Sequence, residues 1–558
     1  MANALRAHRA GHLDEAKRIY LQILAIDVRH AETLHLLGIV EYQLGRYESA
    51  AKMIGRAIAI DGRQAGYHFN LGLVLQMQGK LSEAVDSYDR ALVLQPNYAE
   101  VCYNRGNALR DLGKPNEASE SFRRAVTLKA DYLEAWNNLG LVLKAQDKLD
   151  EAVDCFERLL ALDERSAEGH HNLGEVRYAQ GLPGDAAAHQ EQALALKPDY
   201  VEAHVSLGAA YELQGRLEEA VTSFEKALAL NPENAAARLN LAMVQLLQEN
   251  FASGLQNYEV RTLCENAPRR FVQPQWRGEP LDGARILLHH EQGLGDTIQF
   301  LRFVPLVRAA GGVVVLELPP RLRRIAARFS DIAELVDTGR PLPQFDFHCP
   351  FMSLPLAFGM DRQSIPAQVP YLSVPGEAME FAGALPWPSD GLRVGIVWSG
   401  SPEHARNSFR SIPFELLEPI FDVAGVQFFS LQMGAAAARL AQTRAAITAL
   451  GAVTRDMADT AAQIAHLDLI ITVDTSVAHL AGALAAPTWL LLSSAPDWRW
   501  FERGEESPWY PTMRLFRQSN FGDWQPVIER VCTQLRILAS GKRGLRRPEE
   551  TLNLDADM

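Results

Sequence analysis

AEVCYNRGNALRDLGKPNEASESFRRAVTLKADY (residues 99–132) and LEAWNNLGLVLKAQDKLDEAVDCFERLLALDERS (133–166) are consecutive, and laying one on the other decides the architecture of the first half of the chain. Gly106 falls on Gly140, Ala118 on Ala152 and Phe122 on Phe156, each a shift of 34 residues. Carried outward, the same shift finds glycine at 38, 72, 106, 140, 174 and 208 and alanine at 50, 84, 118, 152, 186 and 220. A second glycine follows at Gly45, Gly79, Gly113, Gly181 and Gly215, with Asp147 in its place once. Proline closes three units, at Pro96, Pro198 and Pro232. A fixed period of this length marks a stacked array of supersecondary units. Each unit carries two helical stretches, predicted at Ala135–Gln146 and Leu149–Leu162 in the 133–166 unit. The first glycine and the alanine sit where paired helices approach closely, and the second glycine ends the first helix in a left-handed conformation.

This pattern resembles the tetratricopeptide repeat, including its aromatic positions Tyr88, Phe122, Phe156 and Phe224. Full repeats start at 31, 65, 99, 133, 167 and 201; a leading half repeat occupies 1–30 and a degenerate closing one 235–265, so the array spans 1–265. Such solenoids present a concave groove suited to peptides. Asn70, Asn104, Asn138, Asn172 and Asn240 recur at one position of the repeat, interrupted by Ser206. An amide offers both donor and acceptor, so a row of them would grip the extended backbone of an acceptor protein. The array is similar in this to the O-GlcNAc transferases, where repeats hand a protein to a fused sugar-transfer domain. The alternative is that these asparagines bridge neighbouring helices.

The formal charge of −13 argues against nucleic acid or an anionic lipid surface as the main partner. The basic cluster Arg321, Arg323 and Arg324 reads as a solvated helix face. Five scattered cysteines (Cys102, Cys155, Cys264, Cys349, Cys532) show no ligand or redox spacing, which points to a reducing compartment. MANALRAHRAGHLDEA at the start lacks the apolar core of a secretory signal, and no apolar run approaches the ~18 residues that span a bilayer. The expectation is a cytoplasmic protein without membrane insertion.

Periodicity fails after 265, and 266–284 reads as a connector with some packed aromatics. Strand-like runs then alternate with helical segments: Arg285–His290, Val313–Leu318, Val394–Trp398, Gln427–Leu431, Leu469–Val473 and Thr488–Leu492. That alternation implies parallel sheets of the Rossmann type. GALPWPSDG (383–391) divides the region into two similar halves, 285–385 and 386–540, the arrangement called GT-B, with a disordered tail at 541–558. The fold class expected is therefore an all-α tetratricopeptide solenoid followed by an α/β GT-B fold of two Rossmann-like domains. A helix over Asp523–Leu538 has the spacing to close the C-terminal end by crossing back to the first half.

Ligands of open α/β sheets bind at the carboxyl ends of strands, so three segments matter most. In HHEQGLGDTIQF (289–300), Gly293 and Gly295 deliver Asp296 to a helix start; Ile298 replaces the third glycine of a dinucleotide fingerprint, and Asp296 also suits a plain helix cap. VWSGSPEHARNSFRSIPF (397–414) offers small polar residues and Arg410, whose guanidinium suits a phosphate. LIITVDTSVAHLAGAL (469–484) runs a strand into Asp474-Thr475-Ser476 at a helix N-terminus, a ready anion site, with His479 either beside it or simply packed.

Together these segments resemble the family 9 glycosyltransferases, best known from the ADP-heptose transferases of lipopolysaccharide synthesis, over roughly residues 285–540. The resemblance implies that Gly295-Asp296 supplies the catalytic carboxylate, that Arg410 contacts donor phosphate, and that Asp474, Thr475, Ser476 and His479 bind diphosphate and ribose. Ser399, Gly400 and Gln432 complete the expected donor-binding set, and Glu291 is the runner-up carboxylate. The expected reaction is an inverting, metal-independent transfer from a nucleotide-sugar, with no further cofactor, to a Ser or Thr hydroxyl of a protein in the repeat groove. The only Asp-x-Asp, Asp555-Ala556-Asp557, falls in the tail. The repeats, Arg410 in place of the usual lysine and the aromatic stretch Pro496–Gln518 depart from the heptosyltransferases. They are closer to repeat-bearing bacterial relatives, among them soluble transferases that modify flagellin before export. A scaffold with a retired transferase domain, or a transferase acting on lipid or glycan, are the rival expectations.

Overall fold

The computed structural model describes residues 1–263, 269, 271–327, 329, 332–404 and 406–541. Cys264 and the expected tail from 542 onward, with Asp555 and Asp557, lie outside the described residues. The chain divides into two compact units, Met1–Ala203 and His204–Met558, so the boundary of compactness falls inside the repeat array, not at 265.

The first unit is a run of paired helices. In the unit quoted above, the first helix is Leu133–Ala145 and the second Leu149–Leu162. The glycine of each first helix lies under a side chain of its second helix: a Cβ would stand 2.6 Å from the Phe122 ring at Gly106 and 2.6 Å from the Phe156 ring at Gly140. In two repeats Ile54 and Gln190 replace the ring, above Gly38 and Gly174. Both Phe122 and Phe156 are fully buried. The close helix pairing therefore depends on a position without a side chain facing a large one. Asp147 adopts φ 59°, the same left-handed turn as Gly113 at φ 71°, so the one substitution in the second glycine series leaves the geometry unchanged. The leading segment expected as a half repeat holds a helix pair, a short Ala2–Arg9 and a full-length Leu13–Ile26.

The second unit opens with the last helices of the array, including Leu217–Leu230, Ala235–Leu247 and a short Phe251–Tyr258. Two sheets follow. The first holds β1 (Arg285–His289), β2 (Val313–Leu318), β3 (Glu334–Asp337) and β4 (Phe347–Pro350) in the order β3-β2-β1-β4. The second holds β5 (Leu392–Val397), β6 (Val426–Ser430), β7 (Ile447–Ala449), β8 (Leu469–Val473), β9 (Thr488–Leu492) and β10 (Met513–Arg517) in the order β10-β9-β8-β5-β6-β7. Every pairing in both sheets is parallel. Order reverses between β5 and β8, which opens a crevice at their carboxyl ends.

Three expectations change. The C-terminal helix, Gln525–Ser540, buries Val527, Ile528, Val531 and Leu535 in the core of the second sheet, with Val394, Phe428 and Leu469, and does not cross to the first. Arg324 is not a merely solvated group: it pairs with Asp456 at 3.0 Å and with the fully buried Asp459 at 2.9 Å, joining the two sheet-bearing halves. The connector packs more tightly than a linker, with Trp276 buried and its backbone N–H donating to the carbonyl of His348 in β4. Among the described residues, no helix is long and apolar enough to cross a membrane.

Gly140→Ala forces a methyl into the buried Phe156 ring and should cost about 1–3 kcal/mol by overpacking. Gly184→Ala, in open space on the helix Pro183–Leu196, should not destabilise. Thermal unfolding of the two variants side by side checks this.

Candidate active-site cavity

A cavity of about 310 Å³ lies in the second unit at the carboxyl ends of both sheets. The first sheet contributes Gln292 and Asp296; the second contributes Arg410 after β5, Asp474 after β8, and Asp497 and Arg499 after β9. Its remaining wall comes from the last repeats, through Leu239, Asn240 and Met243 on the Ala235–Leu247 helix.

Asp296 is the third residue of the helix Leu294–Phe300, and its Oδ2 accepts a hydrogen bond from the backbone N–H of Gly293 at 2.9 Å. It is thus half of a capping box, not the N-cap itself. Its other oxygen faces Arg499, with Nη2 to Oδ1 at 2.7 Å. Arg499 also donates from Nη1 to Asp497 Oδ1 at 2.7 Å. Asp474 lies beside them, its carboxyl pushed up to about 6 by burial and by the charge of Asp497. The guanidinium of Arg499 holds Asp497 in the opposite direction, below the usual carboxylate range despite burial.

Gly400 makes room for Arg410, since a Cβ there would stand 2.6 Å from Nη2. Arg410 Nε is buried with no hydrogen-bond partner among the described residues. The loop carrying Arg410 is tied to a repeat helix: Arg406 pairs bidentately with the buried Glu212, at 2.6 and 2.8 Å.

Of the expected donor set, Arg410 and Asp474 reach the cavity. The others are placed differently. Gln432 is consumed inside the fold, its Oε1 accepting from the N–H groups of Trp398 and Ser399 at 3.1 and 3.0 Å and its Nε2 donating to the carbonyls of Ser399 and Met433. It shapes the loop after β5 and is not among the residues that line the cavity. Ser399 bonds to the Ser411 hydroxyl at 3.1 Å. Thr475 precedes the helix Ser476–Ala483, its hydroxyl 3.2 Å from that of Thr472. Ser476 and His479 lie against Gly295 of the first half. His479 is packed, not a cation at the donor: it stacks on Trp500, bonds to the Tyr510 hydroxyl at 3.0 Å, and burial pulls its pKa down to about 3.

Glu291 is also corrected. Both partners of the Arg261–Glu291 pair are only 2% exposed, at 3.0 Å, and Glu291 Oε1 further accepts from the N–H of Met352. Glu291 is thus held in a buried ion pair and is not among the residues that line the cavity.

The asparagine ladder largely bridges helices. Asn70 lies 2.8 Å from His35 Nε2 one repeat back; Asn138 donates to Asn107 at 2.8 Å, and Asn172 donates to Asn137 at 2.9 Å. Asn104 donates to the carbonyl of Glu100 in its own helix. Asn240 departs from the series by lining the cavity. Arg499 and Asp497 escaped the sequence reading. The signal available was an Asp and an Arg within the aromatic stretch that follows the carboxyl end of β9.

Tetratricopeptide-repeat family profiles match residues 77–113, 106–147, 131–199 and 201–234. Protein FlbA of Caulobacter vibrioides is 28% identical over 321 residues, covering 51% of this chain and 52% of that protein. The chain thus spans about half the length of the curated relative it matches. Among solved structures, MamA is 32% identical and covers 30% of this chain and 96% of its own, with a TM-score of 0.29. YrrB, a TPR protein with an unusual peptide-binding site, is 22% identical, covers 33% and 95%, and gives a TM-score of 0.31. The N-terminal part of this chain is a tetratricopeptide-repeat solenoid.

Glu291→Ala removes the bidentate partner of buried Arg261 and leaves it, among the described residues, only Glu259 at 2.6 Å as an acidic partner, so it should cost about 3 kcal/mol, the low end for a broken buried pair. Urea unfolding of the full chain measures the loss.

Proposed function

We propose that the second unit is a glycosyltransferase of the GT-B kind, moving a sugar from a nucleotide-sugar to a hydroxyl of a protein brought by the repeats, in the cytoplasm. The observation that carries this reading is the convergence of Asp296 from one parallel sheet with Arg410 and Asp474 from the other on a single cavity. Strand order in the second sheet, renumbered from β5, runs 6-5-4-1-2-3, the order of nucleotide-binding Rossmann sheets. Arg410 would meet charge growing on the departing phosphate, a contact worth most in the transition state. Asp296 would take the proton of the incoming hydroxyl. Repeats of this family present concave protein-binding surfaces, which favours a protein acceptor over a lipid or glycan.

A second reading, a binding scaffold with a retired transferase domain, draws on the ion pair between Asp296 and Arg499, which occupies the carboxylate. One assay divides the two. Full-length protein is first screened by thermal shift against UDP, GDP, ADP, CDP and CMP, because a ligand of the folded state raises apparent stability. The matching nucleotide-sugars are then tested for transfer and for hydrolysis. Asp296→Asn should lower kcat by about 10²–10⁴-fold, and Arg410→Ala should weaken nucleotide binding by about ten- to a hundredfold. A protein that stabilises with no nucleotide and consumes no nucleotide-sugar is the scaffold. Near-normal kcat for Asp296→Asn removes that residue from the role of base.

A further inference from the structure

Arg499 carries a feature that its ion pairs do not explain. The side chain is buried, lies 4.8 Å over the Trp498 ring and 5.6 Å over that of Phe300, and is anchored at one end by the Asp497 hydrogen bond. The backbone N–H of Arg499 also donates to Asp497, at 3.1 Å, so this end is fixed. The opposite edge is different. Nη2 is close to Asp296, but its N–H groups are not directed along a hydrogen bond, and neither Nη2 nor Nε finds a hydrogen-bond partner among the described residues. Nε–H and one Nη2–H of a guanidinium point the same way, forming the fork that grips two oxygens of one anion. A buried fork with both donors unsatisfied is costly unless something else takes them. Arg499 is among the residues that line the cavity, and so is Arg410, whose Nε is likewise buried and unpartnered among the described residues.

We propose that the Nε/Nη2 edge of Arg499 receives the phosphate of the donor, and that the phosphate displaces Asp296 from that edge as it binds. The proposal rests on the transferase reading above. Before the donor arrives, Arg499 balances Asp296 through charge alone. A phosphate offers two oxygens to the fork and satisfies both donors, which a single misaligned carboxylate oxygen does not. Asp296 keeps its Oδ2 on the Gly293 N–H while Oδ1 gives up the guanidinium edge and is then free to accept a proton. The base is released by the substrate it serves.

The experiment is calorimetric titration of the full chain with inorganic pyrophosphate and with the nucleotide chosen by the thermal-shift screen. Arg499→Lys keeps the charge but cannot present two parallel N–H groups, so both affinities should fall about ten- to a hundredfold. Asp296→Asn removes the competing charge and should bind both probes several-fold more tightly, the opposite sign, in a variant that keeps the side chain's size. Melting curves accompany each variant to establish that it is folded. If wild type binds a nucleotide and Arg499→Lys binds it equally well, the fork is not the phosphate site and this proposal falls alone. Weakening in Arg499→Lys with unchanged affinity in Asp296→Asn overturns the displacement. If folded wild type binds neither probe, the transferase reading falls, and the proposal with it.

Discussion

Gly295 lies so close to the opposite half of the second unit that a Cβ there would stand 2.8 Å from His479 Cδ2 and 3.4 Å from Ser476 Cα. The helix after β1 and the helix after β8 therefore meet start to start, and everything in the cavity follows from that contact. It sets the width across which Asp296 and Asp474 face one another. His479 cannot retreat, because Trp500 and Tyr510 hold its ring from the other side. Tyr510 in turn lies under the guanidinium of Arg302, which donates to the carbonyls of Pro366 and Trp509 at 3.0 and 2.8 Å. A chain of buried contacts thus runs from one sheet to the other behind the cavity. The large rings of the aromatic stretch after β9, Trp498, Trp500, Trp509 and Tyr510, are buried in this junction.

The same device builds the solenoid. A missing side chain on one helix admits a large one from its neighbour, as Gly106 admits Phe122 and Gly140 admits Phe156. The interior is close-packed, so such pairs fix separation more tightly than apolar character alone would. Where the ring is absent, Gln190 fills the space over Gly174 and donates to the carbonyl of His171 at 3.0 Å, keeping a polar atom satisfied in a buried place.

Much of this was legible in the residues. The 34-residue period stated the repeat boundaries, and the runs Val313–Leu318, Leu469–Val473 and Thr488–Leu492 are strands with those limits. Strands β3, β4 and β7 were not, because ELVD, FHCP and ITA are three or four residues long and mix polar with apolar groups. β10, MRLFR, was hidden by its two arginines inside an aromatic stretch. For the cavity, position relative to strand ends selected Asp296, Arg410 and Asp474. It could not reveal that Glu291, Gln432 and His479, equally well placed along the chain, are claimed by internal partners. Burial of a partner from distant sequence leaves no local mark. Arg261 is 30 residues from Glu291, and Tyr510 is 31 from His479. The asparagine period was correct as a pattern, yet a pattern of that spacing serves helix bridging as readily as ligand binding.

The pairing of Arg261 with Glu291 and of Glu212 with Arg406 also bears on how the chain can be divided. A fragment cut where the repeat period stops would begin near residue 266. It would fold around Glu291 with the matching guanidinium left behind, and would leave Arg406 without its buried carboxylate. It would also open one side of the cavity, since Leu239, Asn240, Met243 and Tyr258 would be gone. The sheets and the closing repeats are for that reason one piece: they share one compact unit, and every residue that lines the cavity lies within it.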